Sequence, residues 1–344
     1  MIKLLIVDDS ALMRRQLSSV FEEQGDFEIH LARNGQEALE ENANFKPDVI
    51  TLDINMPVMD GLTALSHIMQ QRKVPVVMVS SLTEQGALAT FEAIALGAVD
   101  YIAKPEGTIS SSLENVKREL VGKVRAAAKS KVKTGRTTAR PVFSPAQKVA
   151  PHKAGKSIVV IGVSTGGPRT LEEVLPLFPA DFPHPILVAQ HMPGSFTSAF
   201  ASRMDKLCAL QVVEAHCPMP IEAGVIYIGK GGADMVVAQR AGSSIVMPKP
   251  ENKEFAWHPS VELLGRSVLE HYNPCNIIGV MLTGMGYDGA EAFAEIKKRG
   301  GKTIAESQES CVVFGMPAEL INRNGATTIL PATRVTRQIL AWTH

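Results

Sequence analysis

Gly162-Val163-Ser164-Thr165-Gly166-Gly167 holds the residue best placed for nucleophilic chemistry. An apolar run, Ser157-Ile158-Val159-Val160-Ile161, leads into it, and Pro168 with Leu171, Val174 and Leu175 continues as a helical pattern. The serine therefore stands on a glycine turn between a strand and a helix start. There the amide dipoles favour a developing negative charge. The glycines let a substrate approach the backbone. The pattern fits G-x-S-x-G, in which the serine attacks. The same turn could also cradle a phosphate or only pack a helix on a sheet.

A serine nucleophile needs a base, and the base needs an orienting acid. His191 directly follows the apolar run Ile186-Leu187-Val188-Ala189-Gln190, so it shares a strand's carboxyl end with Ser164. His184 precedes that strand, and His271 sits late in a helical stretch, where it can cap the last carbonyls. The run Ile277–Leu282 enters Thr283-Gly284-Met285-Gly286-Tyr287-Asp288-Gly289, a second glycine-rich loop before a helix. Asp288 either caps that helix or orients His191. The loop's amides can also donate to an oxyanion. The order Ser, His, Asp differs from the Ser, Asp, His order of α/β-hydrolases, so that fold is not implied.

The first half gathers carboxylates. Asp8-Asp9 end one apolar run, Asp53 another, Ser80-Ser81 a third, and Lys104-Pro105 follow a fourth. Three carboxylates in one crevice repel one another and call for a hard cation such as Mg²⁺. A hydroxyl and a lysine at the same rim suit phosphate oxygens. Together they describe phosphoryl transfer to an aspartate.

The elements that position these residues alternate. Runs at 3–7, 49–52, 74–79 and 99–102 read as buried parallel strands, separated by helical patterns. The second half shows strand candidates at 158–163, 185–190, 211–214, 224–229, 234–238, 277–282 and 303–306. The stretch Gly224–Met247 reads as hairpin-like. The fold class is α/β: an N-terminal doubly wound domain, a linker, and a second doubly wound, mostly parallel domain. The boundaries expected are 1–125, 126–156 and 157–344. From Val121 to Lys156 there is no acid, while Lys123, Arg125, Lys129 and further basic residues recur. Its first part, to about Lys133, can extend the preceding helix; beyond it the breakers Gly135, Pro141 and Pro145, with His152, read as a solvated tether rather than as a basic run that contacts nucleic acid or acidic partners.

At 344 residues, two domains are expected. Thirty-five basic residues balance 35 acidic ones, which argues against nucleic acid as the partner of the whole protein. No apolar run approaches the ~20 residues of a membrane span, so no membrane insertion is expected. The N-terminal run meets Asp8-Asp9 at once and reads as a strand, not a signal peptide. Four scattered cysteines (Cys208, Cys217, Cys275, Cys311) read as reduced thiols of a cytoplasmic protein.

Residues 1–125 resemble two-component receiver domains, the flavodoxin-like phosphoacceptor family. The resemblance rests on Asp53-Ile54-Asn55-Met56-Pro57-Val58-Met59-Asp60-Gly61 with Asp8-Asp9, Ser80 and Lys104-Pro105. It implies Asp53 as phosphoacceptor and Asp8, Asp9, Asp53 and the Asn55 carbonyl as Mg²⁺ holders. It further implies Ser80 and Lys104 as phosphoryl contacts and Tyr101 as the switching aromatic.

Residues 157–340 resemble the catalytic domain of bacterial chemotaxis protein-glutamate methylesterases. That resemblance rests on Ile161–Pro168, Gln190-His191-Met192-Pro193 and Leu282–Gly289. It implies Ser164 as nucleophile, His191 as base, Asp288 as orienting acid, and an oxyanion held near Thr165 and the Met285 amide. It also implies no cofactor for the esterase, a chemotaxis histidine kinase as phosphodonor, and chemoreceptor cytoplasmic domains as substrate, with some receptor glutamines deamidated. His258 stands where this family usually has arginine, near the substrate groove. A transcriptional response regulator or a catalytically silent scaffold are the alternatives. The second half is long and not basic, which disfavours the first, and the intact Ser164, His191 and Asp288 set disfavours the second.

Overall fold

A computed structural model of the protein describes residues 1–81, 83–104, 110–130 and 157–343. The chain divides into two compact units, residues 1–136 and 137–344.

The first unit is one parallel sheet in the order β2-β1-β3-β4-β5. Its strands are β1 (Ile2–Val7), β2 (Phe27–Ala32), β3 (Val49–Asp53), β4 (Val76–Ser80) and β5 (Asp100–Ala103). Parallel strands need crossovers, and helices α1 (Ala11–Glu22), α2 (Gly35–Asn44), α3 (Gly61–Gln71), α4 (Glu84–Leu96) and α5 (Ser110–Lys129) supply them. α1 packs with α5, while α3 packs with α2 and α4, so both faces are covered. β3 and β4 are buried at every residue, which is why they read as continuous apolar runs. β2 is an edge strand with exposed positions and carries no such run.

α5 continues to Lys129, within the extension to about Lys133 that the sequence allows. Two residues of the acid-free basic stretch thereby acquire structural partners. Lys123 is buried, donates to the Tyr101 carbonyl at 2.9 Å and pairs with Glu119 at 2.9 Å. Arg125 forks onto Asp26 at 3.0 and 2.8 Å. Pro105, His152 and the rest of the expected linker from residue 131 lie outside the described residues.

Val58 sits at φ 68 and is 85% exposed, with the Met59 N–H closing onto the Pro57 carbonyl at 2.8 Å. A β-branched residue in this left-handed turn is strained by ~1–2 kcal/mol. Glycine loses more entropy on folding, which offsets part of the relief. Val58→Gly is expected to stabilise the first unit by about 0.5–1 kcal/mol net, seen as a higher urea midpoint. An unchanged or lower midpoint would count against strain at this turn.

The second unit carries a seven-stranded sheet, every pair parallel, in the order β15-β14-β13-β6-β7-β10-β8. The strands are β6 (Ile158–Val163), β7 (Ile186–Gln190), β8 (Gln211–Ala215), β10 (Val225–Gly229), β13 (Ile277–Met281), β14 (Lys302–Glu306) and β15 (Thr328–Leu330). A small antiparallel sheet joins β9 (Met219–Pro220), β11 (Asp234–Arg240) and β12 (Ser243–Lys249). The hairpin expected over Gly224–Met247 therefore begins only at Asp234, because β10 pairs in parallel with β7 and β8 inside the large sheet.

Helices α6 (Gly167–Val174), α7 (Gly194–Leu207), α8 (Val261–His271), α9 (Ala290–Lys298), α10 (Met316–Asn322) and α11 (Ala332–Thr343) complete the unit. The chain leaves β6 toward β7 on one side and returns through β13 on the other. That reversal opens a crevice at the carboxyl ends of β6 and β13, where ligands bind in such sheets. The first unit has the equivalent reversal between β1 and β3.

Candidate active site

The first crevice brings Asp8, Asp9 and Asp53 together, with one ligand oxygen from each lying within 4.8 Å of the others. Asp8 and Asp53 are buried and Asp9 is exposed. Lys104 Nζ lies 3.0 Å from Asp8 Oδ2 and 2.9 Å from Asp53 Oδ2. These contacts are ionic, since among the described residues neither oxygen takes a directed hydrogen bond. Two buried carboxylate oxygens of that kind beside a third acid fit a divalent cation. Burial pushes the Asp53 carboxyl above its ordinary value, and the Lys104 ammonium pulls only part of the way back.

The turn after Asp53 is tightly built. Gly61 N–H bonds the Ile54 carbonyl at 2.9 Å, and a Cβ on Gly61 would lie 2.0 Å from the Asp53 carbonyl oxygen, so only glycine fits. Asp60 caps α3 through the Thr63 N–H. Asn55 is exposed in this turn. Ser80 is buried, and its hydroxyl donates to the Gly86 carbonyl at 3.2 Å. Tyr101 is buried edge-on to Phe91, with the Lys123 ammonium 5.2 Å from its ring centre.

In the second unit Ser164 and His191 each stand one residue beyond adjacent strands, β6 and β7. Ser164 N–H bonds the Thr283 carbonyl at 2.9 Å, and His191 N–H bonds the Val163 carbonyl at 3.1 Å. Gln190 Nε2 bridges the carbonyls of Ser164 and His191 at 3.1 and 2.9 Å. Gly166, at φ 77, heads α6, and a Cβ there would lie 2.5 Å from Val312.

His191 Nε2 and Asp288 Oδ2 are 2.8 Å apart. With the carboxylate accepting, the proton sits on Nε2 and the Nδ1 lone pair is left bare. Nδ1 is buried and has no hydrogen-bond partner among the described residues, Ser164 included. Catalytic bonds of this type are often long without substrate.

Asp288 does not cap α9; Gly289 holds that position at φ 83. Its carboxylate instead accepts from Val261 N–H at 2.7 Å, Glu262 N–H at 3.0 Å and Ser260 Oγ at 3.1 Å, all at the start of α8. Burial raises the Asp288 carboxyl, but the bonds from His191 and the α8 amides outweigh it and hold it below its ordinary value. A depressed acid lends stability at neutral pH that is lost as pH falls through the depressed value. It therefore faces His191 as a fixed negative charge.

Thr283 ties the elements together. Its hydroxyl donates to the Thr165 carbonyl at 3.0 Å and accepts from Val312 and Val313 N–H groups at 3.1 and 2.9 Å. Its own N–H meets buried Glu306 at 2.8 Å. Gly284 binds Val313, Gly315 and Met316 through its backbone, and a Cβ on it would strike the Ser164 Cβ at 2.8 Å. The Thr165 and Met285 N–H groups, the expected oxyanion donors, have no acceptor among the described residues.

Trp257 lies parallel to the His191 ring with centres 6.0 Å apart, and Tyr287, 59% exposed, meets Trp257 edge-on. His258 faces the buried Asp234 at 2.8 Å, and Asp234 also accepts from Ser260 N–H at 2.8 Å. His258 thus braces the start of α8, on which Asp288 rests. Sequence reasoning held Gln190, Thr283, Trp257 and Ser260 only inside motifs, without a role, and missed Glu306. Polar residues closing buried strands, such as Gln190 and Glu306, were the available signal.

The two crevices define a response regulator: a receiver unit followed by an output unit of hydrolase type. Residues 4–113 match the response regulator receiver domain family and residues 159–339 match the CheB methylesterase family. The chain belongs to the CheB methylesterase family. It is 55% identical to protein-glutamate methylesterase/protein-glutamine glutaminase 3 of Rhodospirillum rubrum, across 99% of this chain and 96% of that one. It is 48% identical to a protein of the same name, numbered 2, from Rhodopseudomonas palustris strain BisB18, across 99% and 98%. The crystal structure of the Thermotoga maritima CheB methylesterase catalytic domain covers 55% of this chain and 99% of its own, at 37% identity and a TM-score of 0.53. Among the described residues no helix is long and apolar enough to cross a membrane.

Proposed function

We propose that this chain is a phosphorylation-gated serine esterase that hydrolyses glutamate γ-methyl esters on chemoreceptor cytoplasmic domains to glutamate and methanol. It also deamidates certain receptor glutamines. The observation that carries the reading is His191 held by Asp288 at 2.8 Å, beside Ser164 on the neighbouring strand end.

Ser164 Oγ attacks the ester carbon while His191 takes its proton through Nδ1, the nitrogen left bare by Asp288. The N–H groups of Thr165 and Met285 receive the oxyanion. Collapse breaks the bond from carbon to the methoxy oxygen, and His191 returns its proton to that oxygen, so that methanol leaves. Water then attacks the acyl-serine with His191 again as base, releasing glutamate and restoring Ser164. With a glutamine, ammonia leaves in place of methanol.

In the receiver, Asp53 accepts the phosphoryl group from a histidine kinase. Asp8, Asp9, Asp53 and the Asn55 carbonyl would hold Mg²⁺, which when bound neutralises charge on the phosphoryl oxygens. Lys104 adds a fixed positive charge, and Ser80 supplies a hydroxyl after giving up its bond to Gly86. Phosphorylation adds charge and acceptors at one end of the sheet and biases the receiver between two arrangements.

Methanol release from methyl-labelled receptor membranes, with and without a small-molecule phosphodonor, tests both halves. Donor-stimulated release is expected from the natural chain. Asp53→Ala is expected to keep the low basal rate and lose the response. No release under either condition would remove the esterase reading, and a donor response retained by Asp53→Ala would remove Asp53 as acceptor.

A further inference from the structure

The glycine-rich segment Gly229-Lys230-Gly231-Gly232 has no part in the chemistry above, yet it ends at the same edge of the sheet. β10 lies beside β7, with Ile228 level with Val188, so Lys230, one residue beyond its strand, comes level with Gln190 and, through β7, with Val163, one residue short of Ser164. Two strand spacings separate the backbones of Ser164 and Lys230, about 10 Å.

That backbone is held firmly. A Cβ on Gly231 would lie 2.1 Å from the Met192 carbonyl, and one on Gly194 would lie 2.6 Å from the Gly231 carbonyl. Gly231 N–H also points at Thr197 Oγ1, 3.4 Å away. The loop is thus packed against the turn that follows His191. Lys230 itself is exposed and pairs with no acid among the described residues. A cation on a rigid loop, unneutralised, two strands from the nucleophile and one residue short of its level, is placed to meet charge on the substrate.

We propose that Lys230 is a specificity-determining residue that pairs with a substrate carboxylate one to two helical turns from the ester, on the same helix face. The inference rests on the esterase reading above. On a helix, residues two turns apart are separated by about 10.8 Å along the axis, close to the spacing between the two strand ends, and the lysine stem extends the reach to one turn. Chemistry supplies the anion: every ester hydrolysed leaves a carboxylate. A segment carrying several esters therefore becomes a better substrate near each site already processed.

The test uses the full chain with a small-molecule phosphodonor and two helical peptides, each with a single glutamate γ-methyl ester. One carries glutamates one and two turns from the ester, the other glutamines, and methanol release is followed. The natural chain is expected to favour the glutamate peptide by about two- to five-fold in kcat/KM, the size of an exposed ion pair. The preference should reside in KM and fade at ~1 M salt. Lys230→Gln should bring the ratio to one, Lys230→Glu should invert it, and Lys230→Arg should keep it. Equal hydrolysis of both peptides by the natural chain, or a preference surviving in Lys230→Glu, overturns the proposal alone. Hydrolysis of neither peptide by the natural chain overturns the esterase reading and this proposal with it.

Discussion

Ser164→Ala is expected to abolish methanol release, with a loss on the order of 10⁶-fold in turnover, because members of a triad act as a unit. The fold should tolerate the change. Ser164 is anchored through its backbone: its N–H bonds Thr283, and its carbonyl accepts from Gly167 N–H at 2.8 Å and from Gln190 at 3.1 Å. Alanine keeps all three bonds. Thermal midpoint and phosphorylation of Asp53 should therefore match the natural chain while turnover collapses. Turnover within a few-fold of the natural chain would mean that the serine is part of a structural glycine turn.

Asp288→Asn is expected to lower turnover on the order of 10⁴-fold, the size seen for the equivalent change in a serine protease. An amide NH₂ facing Nε2 would donate to it and drive the ring proton to Nδ1. The base would then offer an N–H where it must offer a lone pair. A second effect comes with it, since Asp288 also receives the first N–H groups of α8, and weakening that cap costs about 1 kcal/mol. Ser260→Ala separates the two effects. It removes the Ser260 hydroxyl from Asp288 and from Leu263 N–H but leaves the His191 bond in place. A stability loss with turnover within a few-fold is expected for Ser260→Ala. Normal turnover in Asp288→Asn would leave Asp288 as a cap only and place the orienting acid elsewhere.

Much of the site was legible because the signals are local. A buried parallel strand is a short apolar run, and a glycine turn with a polar residue follows at its carboxyl end, so Ser164, His191, Asp53 and Lys104 can all be found within a few residues of their strands. The same logic fails at β2 and β15, which carry exposed positions at a sheet edge and no continuous apolar run. It also fails for Lys123: a basic residue on an extended helix in an acid-free stretch looks solvated until α5 is seen to bury it against β5.

By itself, then, the sequence determined the two α/β units, the strand ends that bear the reactive groups, and the chemistry those groups can perform. Each of these depends on hydrophobic period and turn chemistry within a few residues. Only the tertiary structure decided that Asp288 rests on the start of α8, 26 residues earlier, while holding His191, 97 residues away. It alone left Nδ1 as the bare nitrogen, laid Trp257 beside the imidazole and set Lys230 two strands from Ser164. Such contacts join elements distant in the chain through single side chains, and a single pairing has no period for a sequence to display.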